Sequence, residues 1–125
     1  MRKFIVLLFV LAACGEKKAE VATETVLEPA EFQAKFQSTE GAILLDVRAE
    51  EEVSGGALAG QKNIVYDDLF ATKLSDLEHK PIFVYCGSGI RSAKAAAILK
   101  EKGYEPVYEM KGGMKAWRGA GLPVQ

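Results

Sequence analysis

The residues best suited to chemistry lie in one short segment, from Cys86 to Ser92. An apolar run ends at Cys86, a loop with two glycines follows, and Arg91 opens an alanine-rich stretch. This order is typical of a strand, a tight loop and a helix. The thiolate is the reactive form of cysteine, and a helix N-terminus or a nearby cation lowers the pKa of a thiol. The segment therefore predicts a reactive cysteine.

Two interpretations of Cys86 compete. Free cysteine is among the most buried residue types, so Cys86 can be a structural part of the core. Alternatively, Gly87 and Gly89 allow the loop to curl until its N–H groups converge on the sulfur as an anion nest. The turn from strand to helix, the two glycines and Arg91 favour the reactive interpretation.

The elements around this segment alternate between strands and helices. Apolar runs predict strands over residues 42–47, 63–66, 82–86 and 106–108. Helical patterns cover residues 29–37, 50–53, 67–77 and 91–102, and a last helix begins at residue 114. This alternation predicts an α/β domain with a mainly parallel central sheet and helices on both faces.

The two most polar strand ends are expected to meet. Asp46 and Arg48 follow one predicted strand, and Cys86 ends another. In open parallel sheets the loops after the strands lie along one edge, where ligands bind. We therefore expect these three residues at the same edge.

The N-terminus has the pattern of a bacterial export signal. Basic residues open the chain, residues 4–13 are apolar, and Leu11 begins a Leu-Ala-Ala-Cys sequence that ends at Cys14. The apolar run is half of the roughly 20 residues that a spanning helix needs. The sequence resembles a lipobox, in which Cys14 becomes the lipid-bearing first residue. Ordinary secretion, with Cys14 discarded, is the alternative.

This pattern sets the predicted domains and location. We expect a signal peptide at 1–13, a lipidated tether at 14–26 and one compact domain at 27–125. The protein would be anchored in the cell envelope and face the periplasm. Gly15 is not the aspartate of an inner-membrane retention signal, which favours the outer membrane. A net charge of −1 gives no reason to expect nucleic acid.

Four stretches of the domain, in register, resemble a single-domain rhodanese (thiosulfate sulfurtransferase-like). Residues 45–52 are similar to the family's Asp-Val-Arg strand end with a following acidic residue, here Glu52. Residues 56–64 are similar to the family's Gly-His-Ile-Pro-Gly-Ala-x-Asn-Ile signature, and residues 85–92 to its active-site loop. Residues 112–117, with 121–124, are similar to its closing motif. The resemblance covers residues 27–125.

One departure from the family pattern lies in the second signature. The family's histidine, proline and alanine are Ala57, Ala59 and Gln61 here. The missing histidine belongs to a connecting loop, so we expect its loss to affect local packing rather than chemistry. His79, the single histidine of the chain, lies among charged residues and is predicted to be an exposed turn residue.

The resemblance implies transfer of a sulfane sulfur through a persulfide on Cys86, in two steps with ping-pong kinetics. The expected partners are a small sulfur-containing anion as donor, such as thiosulfate, and a thiol or cyanide as acceptor, including a protein thiol. No resident cofactor or metal is implied, because one free cysteine and one histidine cannot build a zinc site. A monomer is expected.

The resemblance also assigns the site residues. Cys86 is the nucleophile, and the N–H groups of the loop stabilise the thiolate and the persulfide; the loop residues are Gly87, Ser88, Gly89, Ile90 and Arg91. Ser88 is a candidate donor to the outer sulfur, and Ser92 is interpreted as a helix-start residue.

Three charged residues are interpreted as support for this loop: Asp46, Arg48 and Glu52. Arg91 has two interpretations that can both hold: it binds the anionic donor, or it forms a salt bridge at the helix start to Asp46 or Glu52. Arg48 is expected to pair with Glu51 or Glu52 as scaffold.

The sequence is compatible with three rival functions. Cdc25-like phosphatases and arsenate reductases place five residues between the cysteine and the arginine, whereas four lie between Cys86 and Arg91. The shorter loop suits a sulfur atom better than a tetrahedral oxyanion. A persulfide carrier and a non-catalytic binding module are the other two, and the complete loop argues against the second.

Overall fold

The computed structural model describes residues 24–125, which form one parallel sheet with helices on both faces. The five strands are β1 Val26–Leu27, β2 Ile43–Asp46, β3 Lys62–Asn63, β4 Ile82–Tyr85 and β5 Val107–Met110. The four α-helices are α1 Pro29–Ser38, α2 Glu50–Ser54, α3 Ile90–Glu101 and α4 Gly113–Gly119, and a 3-10 helix spans Phe70–Leu74. Within residues 24–125, every helix is too short or too polar to cross a bilayer.

The sheet has the strand order β1-β5-β4-β2-β3, and every pair of neighbours is parallel. The central strand β4 is buried along its whole length. Strands covered on both faces are apolar throughout, which explains the continuous hydrophobic runs in the sequence. The predicted fold class is confirmed.

Two hydrophobic cores lie on opposite faces of the sheet, because side chains alternate along each strand. On one face, Val84 and Cys86 pack with the 3-10 helix and α3. On the other, Phe83 and Tyr85 pack with α1 and α4. The thiol of Cys86 therefore lies on the α3 side of β4, under the start of that helix.

Three elements differ from the sequence-based expectation. The sheet begins at Val26 with β1, a two-residue strand that is too short to be predicted from an apolar run in the sequence. The second strand, predicted over 63–66, is instead β3 at Lys62–Asn63, although the Tyr66 N–H still donates to the Val47 carbonyl at 2.9 Å. The helix expected over 67–77 is the 3-10 helix alone.

The shorter helix has a local cause at Asp67. Its carboxylate accepts a hydrogen bond from the Leu69 N–H at 2.9 Å and pairs with Lys73 at 2.8 Å. Aspartate side chains that bind the backbone two residues on stabilise a turn in place of a helical start. Asp67 therefore holds a turn, and helical geometry begins at Phe70.

The loop that departs from the family signature is held by backbone contacts. Ala57 exchanges two backbone hydrogen bonds with Gln125, at 3.0 and 2.8 Å. The N–H of Leu58 donates to the Tyr85 hydroxyl at 3.2 Å. These contacts fix the loop against the C-terminal residue and against the residue before Cys86.

Candidate active site

The sulfur of Cys86 lies at the carboxyl end of β4, inside a ring of hydrogen-bond donors. The Gly89 N–H and the Ser92 N–H donate to Sγ at 3.1 and 3.2 Å. The Ser92 hydroxyl oxygen lies 3.4 Å from Sγ. The Cys86 residue itself is fully buried. Such an arrangement can stabilise negative charge on sulfur in a place that bulk water does not reach.

The surroundings of Cys86 lower the pKa of its thiol. Burial disfavours the charged form and raises the pKa, but hydrogen bonds from the Ser92 side chain and from the Ser92, Gly89 and Ser88 backbones together outweigh it. Hydrogen bonds to the charged form are the reason that a buried group can still ionise. Cys86 is therefore biased toward thiolate, the nucleophilic form.

The backbone of the loop explains why donors converge on the sulfur. Gly89 has φ of +101°, a left-handed conformation that side-chain-bearing residues avoid, and it caps the N-terminus of α3. The first N–H to close a helical turn is that of Ala93, which donates to the Gly89 carbonyl at 3.3 Å. The Ser92 N–H, one residue earlier, is free to face Sγ.

The predicted loop residues divide into two groups. Gly89 supplies a backbone donor to the sulfur at 3.1 Å, and the Ser88 backbone contributes to the lowered pKa of the thiol. The other three predicted residues form the wall and rim of the loop, with Ile90 65% exposed; they are Gly87, Ile90 and Arg91. Ser92, interpreted from the sequence as a helix-start residue, supplies both a backbone and a side-chain contact.

Arg91 forms a two-point ion pair with Glu52 on α2. Its two terminal nitrogens contact the two carboxylate oxygens at 2.7 and 3.0 Å. Hydrogen bonding to Arg91 is the main reason that the pKa of Glu52 falls to about 2. The pKa of Arg91 is raised, mainly by its hydrogen bond to Glu52 and with a smaller contribution from the negative charge of Cys86. The salt-bridge interpretation of Arg91 is therefore confirmed for Glu52.

Arg48 pairs with Asp46, and the expected pairing with a side chain of Glu51 or Glu52 is wrong. Both groups are buried, and Nη2 lies 2.7 Å from Oδ2. The backbone N–H of Arg48 also donates to Asp46 Oδ1 at 3.0 Å, so the bend after β2 brings the two side chains together. Arg48 reaches Glu52 only through its backbone carbonyl, at 3.3 Å.

The buried pair supports the residue before the nucleophile. The Arg48 guanidinium lies over the Tyr85 ring, 5.7 Å from its centroid. Tyr85 pairs with Asp46 across the strands, and the Val47 N–H donates to the Tyr85 carbonyl at 3.1 Å. Asp46, Arg48 and Cys86 therefore share one sheet edge, as expected.

The N-terminus of α4 binds the backbone of the cysteine loop. The Met114 N–H donates to the Cys86 carbonyl at 2.8 Å, and the Lys115 N–H donates to the Gly87 carbonyl at 3.0 Å. Gly113, at φ of +60°, lies directly against these carbonyls and leaves no space for a side chain. These contacts fix the peptide between Cys86 and Gly87.

The sequence offered partial signals for the residues that it missed. Ser92 belongs to the loop segment, but its contact depends on how α3 turns. The Gly-Gly pair at 112–113 indicates an unusual backbone conformation, but the sequence does not predict that this pair lies beside Cys86. Asn63 bridges the Asp46 and Arg48 carbonyls at 2.8 and 3.0 Å, a role visible only after folding.

His79 lies away from this site. It is exposed, as expected, and its ring stacks on Tyr104 at 4.0 Å between centroids. Nothing in its contacts connects it with Cys86.

Comparison with known proteins identifies the family of this chain and several relatives. The Rhodanese-like domain family matches residues 28–120. Thiosulfate sulfurtransferase GlpE of Actinobacillus succinogenes is 40% identical over 90 residues, covering 70% of this chain and 78% of that protein. A sulfurtransferase of Allochromatium vinosum is 31% identical over 91 residues, covering 72% of this chain and 84% of that protein.

Other similar proteins include one that is named for a different activity and one of known structure. The tRNA uridine(34) hydroxylase of Cytophaga hutchinsonii is 38% identical over 96 residues, which cover 70% of this chain but 30% of that protein. The crystal structure of a rhodanese-related protein from Thermoplasma volcanium superposes with a TM-score of 0.67 at 27% identity, covering 81% of this chain and 97% of that chain. On the family match and the shared fold, the chain belongs to the rhodanese-like domain family, among whose members are proteins named as sulfurtransferases.

Proposed function

We propose that the protein is a sulfurtransferase that moves a sulfane sulfur from thiosulfate, or a similar small anion, to a thiol or cyanide acceptor. The observation that carries this proposal is the set of hydrogen bonds at Cys86 Sγ from Gly89 and Ser92. Preorganised donors stabilise negative charge at the position where it develops. Here that position is sulfur, both in the thiolate and in a persulfide.

In the first step the Cys86 thiolate attacks the sulfane sulfur of thiosulfate. A bond forms between the two sulfurs, the original S–S bond breaks, and sulfite leaves with its electron pair. The enzyme is left as a Cys86 persulfide anion. In the second step cyanide or a thiolate attacks the terminal sulfur, and thiocyanate or a persulfide of the acceptor departs. The Cys86 thiolate is regenerated, so no redox cofactor is needed.

The placement of Arg91 favours sulfur transfer over phosphate chemistry. Its guanidinium is bound at two points by Glu52. An oxyanion reaction requires donors directed at the oxygens of a tetrahedral group. The loop has only four residues between Cys86 and Arg91, and Arg91 is already paired with Glu52. Both features suit a negative charge on a single sulfur atom better than a tetrahedral phosphate group.

Thiocyanate formation tests the proposal. The wild-type protein, incubated with thiosulfate and cyanide, is expected to produce thiocyanate, and Cys86→Ser is expected to abolish it. Circular dichroism of both proteins shows whether the variant keeps the fold. Equal thiocyanate production by wild type and a folded Cys86→Ser variant would overturn the proposal.

Mass spectrometry separates a turnover enzyme from a persulfide carrier. After thiosulfate treatment, one added sulfur atom on the wild type and none on Cys86→Ser is expected. Prompt loss of that sulfur on addition of cyanide or a small thiol supports turnover. Loss only to a protein thiol supports a carrier role in its place.

We also propose that Cys14 carries a lipid anchor that holds the domain at the periplasmic face of the envelope. Cys14 lies outside the described residues, and the support is the lipobox-like sequence before it. Cys14→Ala is expected to move the protein out of the membrane fraction or to block its processing. Cys86→Ser removes the other cysteine and is the matched control. Unchanged membrane retention of Cys14→Ala would contradict the anchor.

A further inference from the structure

A cleft opens beside the cysteine loop, between α2 and α4. It has a volume of about 430 Å³, within the range of small-molecule sites. Its walls combine the loop, the buried arginine that follows β2 and residues of both helices or their ends: Arg48, Glu51, Glu52, Gly55, Gly87, Met114, Lys115 and Arg118. Gly87 is the residue that connects the cleft to the nucleophile.

Arg91, which the sequence nominates for anion binding, and Arg48, which it nominates as scaffold, are both held in ion pairs. Arg48 is held by Asp46, and Arg91 by Glu52. A cation in a close ion pair attracts a second anion weakly, because its charge is balanced locally. A negatively charged substrate near Cys86 therefore needs other cations.

Lys115 and Arg118 are the uncommitted cations of this cleft. They lie three residues apart on α4, a spacing that places two side chains on the same side of a helix. Both are exposed, and neither is within ion-pair distance of a carboxylate in residues 24–125.

The backbone fixes these two cations relative to the nucleophile. The Lys115 N–H donates to the Gly87 carbonyl, so the backbone of Lys115 lies against the cysteine loop. The Arg118 guanidinium extends across to Gly56, where Nη2 lies 2.8 Å from the place of a Cβ. The pair therefore borders the cleft on the side of α4.

We propose that Lys115 and Arg118 bind the oxyanion of the sulfur-containing substrate that reaches Cys86. This inference rests on the proposed function. The shared chemistry is a carboxylate or sulfonate-like group attached to the reacting sulfur, directly in thiosulfate or by a short spacer in a carboxylated thiol. A thiol acceptor that carries a carboxylate and an anionic donor such as thiosulfate both offer it.

Charge-selective alkylation of Cys86 tests the inference without turnover. Iodoacetate carries a carboxylate and iodoacetamide does not, while both deliver the same carbon to the thiolate. The ratio of their rates reports the attraction of an anion to the nucleophile. Lys115→Gln and Arg118→Gln are each expected to lower this ratio by about two- to fivefold at low salt, the usual strength of a partly exposed charge pair. The effect is expected to shrink with added salt.

Lys102→Gln is the matched control, since Lys102 is exposed at the far end of α3. This variant is expected to keep the wild-type ratio. An unchanged ratio in both Lys115→Gln and Arg118→Gln would overturn the inference, as would an equal fall in Lys102→Gln. In a further outcome, the wild type forms no persulfide while the iodoacetate to iodoacetamide rate ratio still falls in the Lys115→Gln and Arg118→Gln variants. That result would support the anion site and contradict the proposed sulfur-transfer reaction.

Steady-state kinetics then identify whether Lys115 and Arg118 bind the sulfur donor or the acceptor. Acceptor KM values for 3-mercaptopropionate and 2-mercaptoethanol differ through one carboxylate, and the donor KM is measured separately. A rise in the 3-mercaptopropionate to 2-mercaptoethanol KM ratio assigns the site to the acceptor, and a rise in the thiosulfate KM assigns it to the donor. A failure of both to rise, in variants of an active protein, would contradict the assignment.

Discussion

Gly113 lies against the peptide that follows Cys86, so closely that a Cβ at this position would be 2.6 Å from the carbonyl carbon of Gly87. The two residues belong to different strand-helix units, 27 positions apart in the chain. Their contact lets the first N–H groups of α4 bind the carbonyls of the cysteine loop. The loop that forms the nest is thus held from outside its own segment.

Substitution of Gly113 is expected to disturb the thiol as well as the fold. Gly113→Ala adds a methyl group against the Gly87 carbonyl and also strains a backbone at positive φ. We expect a stability loss above the roughly 1–2 kcal/mol of a left-handed alanine, and a rise in the pKa of Cys86. Urea unfolding and the pH dependence of alkylation measure the two effects.

Gly121→Ala controls for the backbone strain. Gly121 has φ of +74° and no atom near the place of its Cβ, so it shares the strain without the contact. Its alkylation profile is expected to match that of the wild type. Identical profiles for both glycine variants would show that Gly113 does not position the loop.

Ser92→Ala is expected to weaken the thiolate. The variant removes the side-chain contact at 3.4 Å and keeps the backbone donor. Because the side chain lowers the pKa of Cys86, its loss should raise that pKa and shift the alkylation profile to higher pH. The rate near neutral pH is expected to fall roughly three- to tenfold, which corresponds to the usual net contribution of one hydrogen bond, about 0.7–1.4 kcal/mol.

Ser75→Ala, at an exposed position after the 3-10 helix, provides the comparison. Its profile should not move. A Ser92→Ala profile that coincides with that of Ser75→Ala would mean that the hydroxyl does not contribute to the thiolate.

The ion pair of Glu52 and Arg91 predicts a pH-dependent stability difference. The folded pKa of Glu52 is lowered to about 2, from an ordinary value of 4.5. A depressed carboxyl pKa stabilises the fold above the unfolded pKa, and this contribution is lost as pH falls through the folded pKa. The stability difference between wild type and Glu52→Gln should therefore be full above about pH 5 and shrink toward pH 2.

The size of this difference is limited by exposure. The side chains of Glu52 and Arg91 are 40% and 36% exposed, so solvent screens the pair. We expect about 0.5–1 kcal/mol at neutral pH. Urea unfolding at pH 7, 5 and 3 measures it, with Glu50→Gln as an exposed control on the same helix. A difference for Glu52→Gln that stays constant over this range would contradict the linkage.

Asp46→Asn is expected to destabilise the protein much more than the loss of an exposed pair. The substitution leaves the buried Arg48 without its counter-charge, for which about 3–5 kcal/mol is typical. Asp67→Asn breaks the half-exposed pair with Lys73 and should change stability far less. Thermal unfolding of both variants checks the order, and equal losses would show that the buried pair has no special weight.

The sequence alone determined the α/β class and the meeting of Asp46, Arg48 and Cys86 at one edge. Those conclusions depend on periodicity and on the geometry of parallel strands, which are local or general properties. It also identified Cys86 as the reactive candidate, because a thiol between a strand and a glycine-rich helix start has a local electrostatic consequence.

Only the tertiary structure decided which groups contact one another. It paired Arg48 with Asp46, gave Arg91 to Glu52, and brought Gly113 and the α4 cations to the cysteine loop. Apart from the Arg48–Asp46 pair, these contacts join segments far apart in the chain, and their partners depend on how helices pack on the sheet. Side-chain partners across such distances follow from packing, since periodicity fixes which face a residue occupies but not its neighbour there.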